Sequence, residues 1–154
     1  MSWAGIDVGG RRKGFHGAAV DGTKVIKGPH RLGGVDEVMR WLFAIEPEVV
    51  ALDSPKTCAR RGERSRECER ELMKAICGIR WTHEALAGMK LEGLPSRRIN
   101  QDDRDAIAAA LTARLHSEGQ TTNFGEIVVP AQMCVRCVPA GRCRSGTPSA
   151  VGAR

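Results

Sequence analysis

The sequence predicts an α/β domain built on a mixed four-stranded sheet of order 3-2-1-4, flanked by helices, with a fifth strand short or missing. Three observations predict it. Trp3-Ala-Gly-Ile-Asp-Val8 is strand-like and stops at Gly9-Gly10. Asp21-Gly22 separates two further strand-like runs. Residues 34–45 carry apolar side chains at helical spacing just before another apolar run, Glu48-Val-Val-Ala-Leu-Asp53. An Asp-Gly pair between strands is a hairpin turn, whereas a helix between strands is a crossover that sets them parallel.

Residues 14–20 and 23–26 flank the Asp-Gly turn, so the first three strands form an antiparallel meander. In residues 34–45 the stripe is Val35, Val38, Met39, Leu42, Phe43 and Ile45, with Asp36 and Glu37 in the first turn, where the helix dipole favours acids. The run closing at Asp53 is apolar throughout, as expected of a strand buried on both faces. Residues 64–77 read as a helix with Cys68, Leu72, Ala75 and Ile76 on one side, ended by Gly78. Residues 79–100 show no period. Residues 102–117 are a helix rich in alanine and stopped by Gly119, and Glu126-Ile-Val-Val-Pro130 reads as a short edge strand with proline at its end. Residues 1–130 therefore form the domain, and 131–154 a tail of Gly, Pro, Arg and Cys without periodicity.

A chain of 154 residues with 42% hydrophobic content closes one core. Tyrosine is absent, which excludes a tyrosine nucleophile. No apolar stretch nears the roughly 20 residues of a membrane span, and the first residues lack the pattern of a signal peptide. The expectation is a cytoplasmic protein without a membrane partner, its six cysteines reduced. The net charge of +6 is concentrated at the end of the chain: four arginines and no acid lie in 131–154, leaving 20 basic and 18 acidic residues before them. A second basic concentration, eight basic against four acidic residues, spans 56–80 directly after Asp53. It reads either as a salt-bridged solvent face or as a guide for backbone phosphates.

The acids carry the functional reading. Asp7 and Asp53 end two adjacent parallel strands, at the edge where open α/β sheets place their sites. At 100° per residue Asp102 shares a stripe with Ala106, Ala109 and Ala113, and Asp105 stands at its edge, while Ile107, Leu111 and Leu115 form a neighbouring stripe. Small residues let a helix approach a sheet closely, which brings its acids to the sheet end. Carboxylates from separate elements suit hard cations such as magnesium. Each acid also has a plainer explanation, since Asp102 and Asp103 lie in a first helical turn and strand-end aspartates often cap turns.

Gly5-Ile-Asp7-Val-Gly9, Ala51-Leu-Asp53-Ser-Pro55, Arg66-Glu-Cys-Glu69-Arg-Glu-Leu72 and the segment from Asp102 to Ala113 together resemble the family called domain of unknown function 429, predicted nucleases of ribonuclease H-like fold. The last motif also resembles the catalytic helix of RuvC-type Holliday-junction resolvases. The resemblance spans roughly residues 3–130. It implies a phosphodiester hydrolase using Mg²⁺ or Mn²⁺ in a two-metal mechanism, with Asp7, Asp53, Asp102 and Asp105 as catalytic metal ligands. Arg66 and Glu69 are family-typical residues whose role the resemblance leaves open; together with Lys56 and Arg70 of the basic segment they are the candidate contacts for a nucleic-acid partner, DNA or RNA. Family members usually carry a further strand and helix between the Arg-Glu-Cys-Glu-Arg segment and the alanine-rich helix, so a shortened member with an inactive, scaffolding role is the alternative.

Other readings are weaker. Ile6-Asp7-Val-Gly-Gly10 resembles the first phosphate loop of actin-like sugar kinases, a fold about twice this length whose second phosphate loop has no counterpart here. Cys134, Cys137 and Cys143 lack a fourth zinc ligand nearby. The four histidines show no metal-like spacing, although His83 and Glu84 fall in the segment without a period.

Overall fold

A computed structural model describes residues 1–9, 13–54, 57, 59–75, 86 and 88–131. Lys56, the end of the helix expected to reach residue 77, His83, Glu84 and the tail beyond Ala131 lie outside them.

Strands β1 (Trp3–Val8), β2 (Phe15–Asp21) and β3 (Lys24–Leu32) form the expected meander around Asp21-Gly22. Helix α1 (Val35–Ile45) crosses over to β4 (Val49–Asp53), which pairs parallel with β1, giving the order β3-β2-β1-β4. Helix α2 (Glu67–Ala75) and the long helix α3 (Gln101–Ser117) follow. Strands β5 (Thr121–Phe124) and β6 (Ile127–Pro130) then pair antiparallel with each other.

The sheet divides two cores by side-chain alternation. Trp3, Ala18, Val20 and Val25 face α3, where they meet Ala106, Ile107, Ala110, Leu111 and Ala113. Ala4, Ile6, Ala19 and Leu32 point the other way, toward Val38 and Trp41 of α1. Helix α3 runs antiparallel to β1, because the Trp3 indole N–H donates to Ser117 Oγ (2.9 Å) at the far end of the helix from its acids. Gly5 sits under the middle of α3: a Cβ placed there would lie 2.2 Å from both the Ala106 carbonyl oxygen and the Ala110 backbone nitrogen. The stripe of small residues thus meets a strand position that has no side chain at all.

Four expectations need correction. Strand β3 continues to Leu32, past Pro29, which an edge strand tolerates. Strand β4 is half-buried, and on the α3 face only, through Val49 and Ala51: it is the outer strand, and Val50 and Leu52 on the other face stay exposed, Leu52 at 62%. In α1 the buried residues are Val38 and Trp41, whereas Val35, Met39 and Phe43 lie on a flank turned from the sheet, Phe43 at 72% exposure. The strand at Ile127–Pro130 does not extend the main sheet; it belongs to a separate hairpin with β5, a strand the sequence reading missed.

Residues 89–100 are held without regular structure. The Val25 amide donates to the Glu92 carbonyl (2.8 Å) and the Glu92 amide to that of Thr23 (3.2 Å), fastening the segment beside β3. Leu86, Met89, Leu91 and Ile99 pack against the α3-side core. Among the described residues no helix is long and apolar enough to cross a membrane.

Candidate functional site

Register places the first two acids. Asp7 of β1 is the direct neighbour of Asp53 on the parallel strand β4. Parallel partners share a face, and alternation along β1 puts Asp7 on the face of Trp3 and Gly5, the one α3 covers. The same row continues in the opposite direction: Asp7 pairs with His16 of β2, and His16 with Arg31 of β3. One line across four strands therefore reads Asp53, Asp7, His16, Arg31, from two acids to a fixed cation.

The other acids come from the start of α3, anchored by a capping box. Asn100 Oδ1 accepts from the Asp103 amide (2.8 Å), and Asp103 Oδ2 accepts from the Asn100 amide (3.1 Å). Asp103 is fully buried. It also accepts from His16 Nδ1 (3.0 Å) and from Arg97 Nη1 (2.6 Å) and Nη2 (3.2 Å), while Arg97 Nη2 also donates to the Pro29 carbonyl. Burial alone would raise the pKa of this carboxyl; the donors from Arg97, the Asn100 amide and His16 hold it below the usual range. Asp103 is thus the acid of the helix start that serves architecture, locking α3 to β2 and β3. Neither His16 nor Arg97 stood out in the sequence.

With Asp103 committed inward, Asp102 and Asp105 are left toward the strand-end acids. Asp7 has its pKa raised to about 6, first by burial and then by the charges of Asp53, Asp102 and Asp105, with His16 opposing. Burial also raises Asp105, against a hydrogen bond from Gln101 Nε2 (2.7 Å), and Asp53 and Asp102 push it the same way. Asp53 is raised by burial of its carboxylate, although the residue keeps an open side. The four acids predicted from sequence are therefore electrostatic neighbours. Lys13 bounds the group, its ammonium 2.8 Å from Asp102 Oδ1.

The predicted phosphate contacts are placed elsewhere. Arg66 donates through Nε and Nη2 to Glu69 Oε1 (3.1 and 2.9 Å) and through Nη1 to Glu126 (3.1 Å), tying α2 to the β5–β6 turn. Arg70 pairs with Glu63 (3.3 Å). Arg66, Arg70, Glu63 and Glu126 line a cleft of about 420 Å³ that shares no residue with the acidic group.

The donor set is all oxygen, as hard divalent cations require. As the side chains stand, no three His, Cys, Asp or Glu among the described residues converge to hold one ion. Removing the cap tests how firmly the helix start is held: Asn100→Ala should cost about 1 kcal/mol and lower the melting temperature by about 4 °C, and an unchanged melting curve would show that the box does not anchor α3. No family model matches the chain, and neither a curated protein nor a solved structure matches it.

Proposed function

We propose that this protein is a metal-dependent nuclease that hydrolyses phosphodiester bonds of DNA or RNA, with Asp7, Asp53, Asp102 and Asp105 holding Mg²⁺ or Mn²⁺. The observation that carries the reading is the in-register pair Asp7–Asp53 beside the first turns of α3, close enough that three acids raise the pKa of the fourth. Proteins seldom gather like charges at a partly buried strand end without a cation to balance them. A bound divalent ion would supply Lewis acidity and an activated water. The chain's part is to present oxygen donors on two strands and a helix clamped by the Asn100 cap and the Asp103 ion pairs.

A second reading, a ribonuclease H-like scaffold without turnover, is favoured by the lack of a three-acid cluster among the described residues and by the Lys13 ammonium on Asp102. Two measurements separate them. Labelled single-stranded, double-stranded and branched DNA and RNA should be cut in Mg²⁺ or Mn²⁺ and not in EDTA. Metal at ten times its Kd should stabilise the fold by about 1.4 kcal/mol through linkage. Absence of both effects leaves the scaffold.

A further inference from the structure

The row Asp53, Asp7, His16, Arg31 ends in a second cleft, of about 360 Å³, at the start of α3. Lys13 and Arg31 contribute cations and Asn100 an amide, while the third cation of the lining, Arg97, is spent on Asp103 and the Pro29 carbonyl. Two carboxylates, Asp102 and Asp103, also line it. Asp103 is already saturated by Arg97, His16 and the Asn100 amide, and its side chain is only 1% exposed. Lys13 projects from the β1–β2 connection with its side chain 62% exposed, so its hold on Asp102 is a surface contact for which another anion can compete. Gly14, beside it, adopts φ +78°, and a Cβ there would come within 3.3 Å of Arg31 Nε. A side chain at that position would crowd the arginine; glycine leaves Arg31 room beside Lys13.

We propose that this cleft seats a second backbone phosphate of the substrate, next to the one held at the carboxylates, so that the enzyme takes a polynucleotide strand rather than a mononucleotide or a phosphomonoester. The inference rests on the nuclease reading for what happens at the acids, but not for binding. Neighbouring strands lie about 4.8 Å apart, so Asp7 and Arg31, two strands from each other, are separated by about 10 Å at the backbone. A single phosphate cannot touch both ends of the row, whereas consecutive phosphates on one strand can. Lys13 stands where it can leave Asp102 for that phosphate, freeing a carboxylate oxygen for a metal ion.

The test is fluorescence anisotropy of a labelled oligothymidylate and the matching oligouridylate, in EDTA so that nothing is cut. Lys13→Gln and Arg31→Gln should each weaken binding about tenfold, the worth of a charge-assisted contact, and reduce the slope of log K against log salt by about 0.7. Lys24→Gln removes the same charge at the opposite end of the sheet and should change neither quantity. Wild type that binds neither oligonucleotide, full affinity in both cleft variants, or an equal loss in Lys24→Gln would overturn the subsite. If Arg31→Gln fails to fold, Lys13→Gln, on an exposed side chain, decides alone. Strands that bind through Lys13 and Arg31 but are never cut in any metal would discard hydrolysis and keep the subsite. Cutting with unaltered binding would do the reverse.

Discussion

Gly5→Ala is expected to destabilise the protein by at least about 3 kcal/mol, the upper end of what overpacking costs. For a strand interior the usual effect has the opposite sign: alanine restricts the unfolded chain and should help by about 0.5 to 1 kcal/mol. The geometry reverses it. The new methyl would sit 2.2 Å from two backbone atoms of α3, Ala106 O and Ala110 N, and neither can rotate aside. Relief requires lifting the helix, and with it the contacts of Ile107 and Leu111, both buried. Native stabilities of about 5 to 15 kcal/mol leave little margin for such a loss. In urea the midpoint should fall by more than about 1 M; a variant as stable as wild type would mean that α3 does not lie on β1 as described.

Asp7→Asn should reduce cleavage more than about 100-fold while leaving the fold intact, because changing even the partners of metal ligands typically costs 10- to 100-fold and the proposal makes Asp7 a ligand itself. The same variant should be more stable than wild type at neutral pH. Folding raises the Asp7 pKa from 3.8 to about 6, chiefly through burial and then through Asp53, Asp102 and Asp105. The native state therefore binds more protons than the unfolded state between those values, and stability falls as pH rises through that window. Asparagine, always neutral, escapes the loss. Wild type and variant should match near pH 4 and diverge by about 1 kcal/mol above pH 6.5, a figure reduced from the full shift because water screens this part-open edge. Urea melts across pH check it: a constant difference would mean that Asp7 is not under charge stress, and undiminished cleavage would remove it from the site.

Much of this arrangement was legible in the sequence, for local reasons. The Asp21-Gly22 turn and the crossover at 34–45 fix strand order, and a strand order with two terminal aspartates sets Asp7 beside Asp53. Helical periodicity similarly placed Asp102 and Asp105 above an alanine stripe. What escaped is non-local. His16 and Arg97 meet Asp103 only after residues far apart in the chain have folded together, and no periodicity encodes such a meeting. The two acids Asp102 and Asp103 look alike in sequence. Only the direction of the helix surface separates the buried clamp from the acid facing the site. The exposed face of β4 was misread because an unbroken apolar run looks the same whether one face or both are covered. Residues 89–100 were opaque because they are fastened by two backbone hydrogen bonds, the Arg97 contacts and a few apolar anchors, which leave no period to find.

The antiparallel docking of α3 on β1 also bears on the birth of the protein. The first strand is bonded to Ser117, 114 residues later, and the face of Trp3, Ala18 and Val20 has its main cover in the helix that begins at Gln101, with Leu86, Met89, Leu91 and Ile99 packed beside it. A chain still on the ribosome and lacking that helix has a hairpin and a strand with one apolar face bare. It must wait, with that face exposed to other chains or chaperones, until residue 117 has cleared the exit tunnel. The sheet is thus written first and covered late.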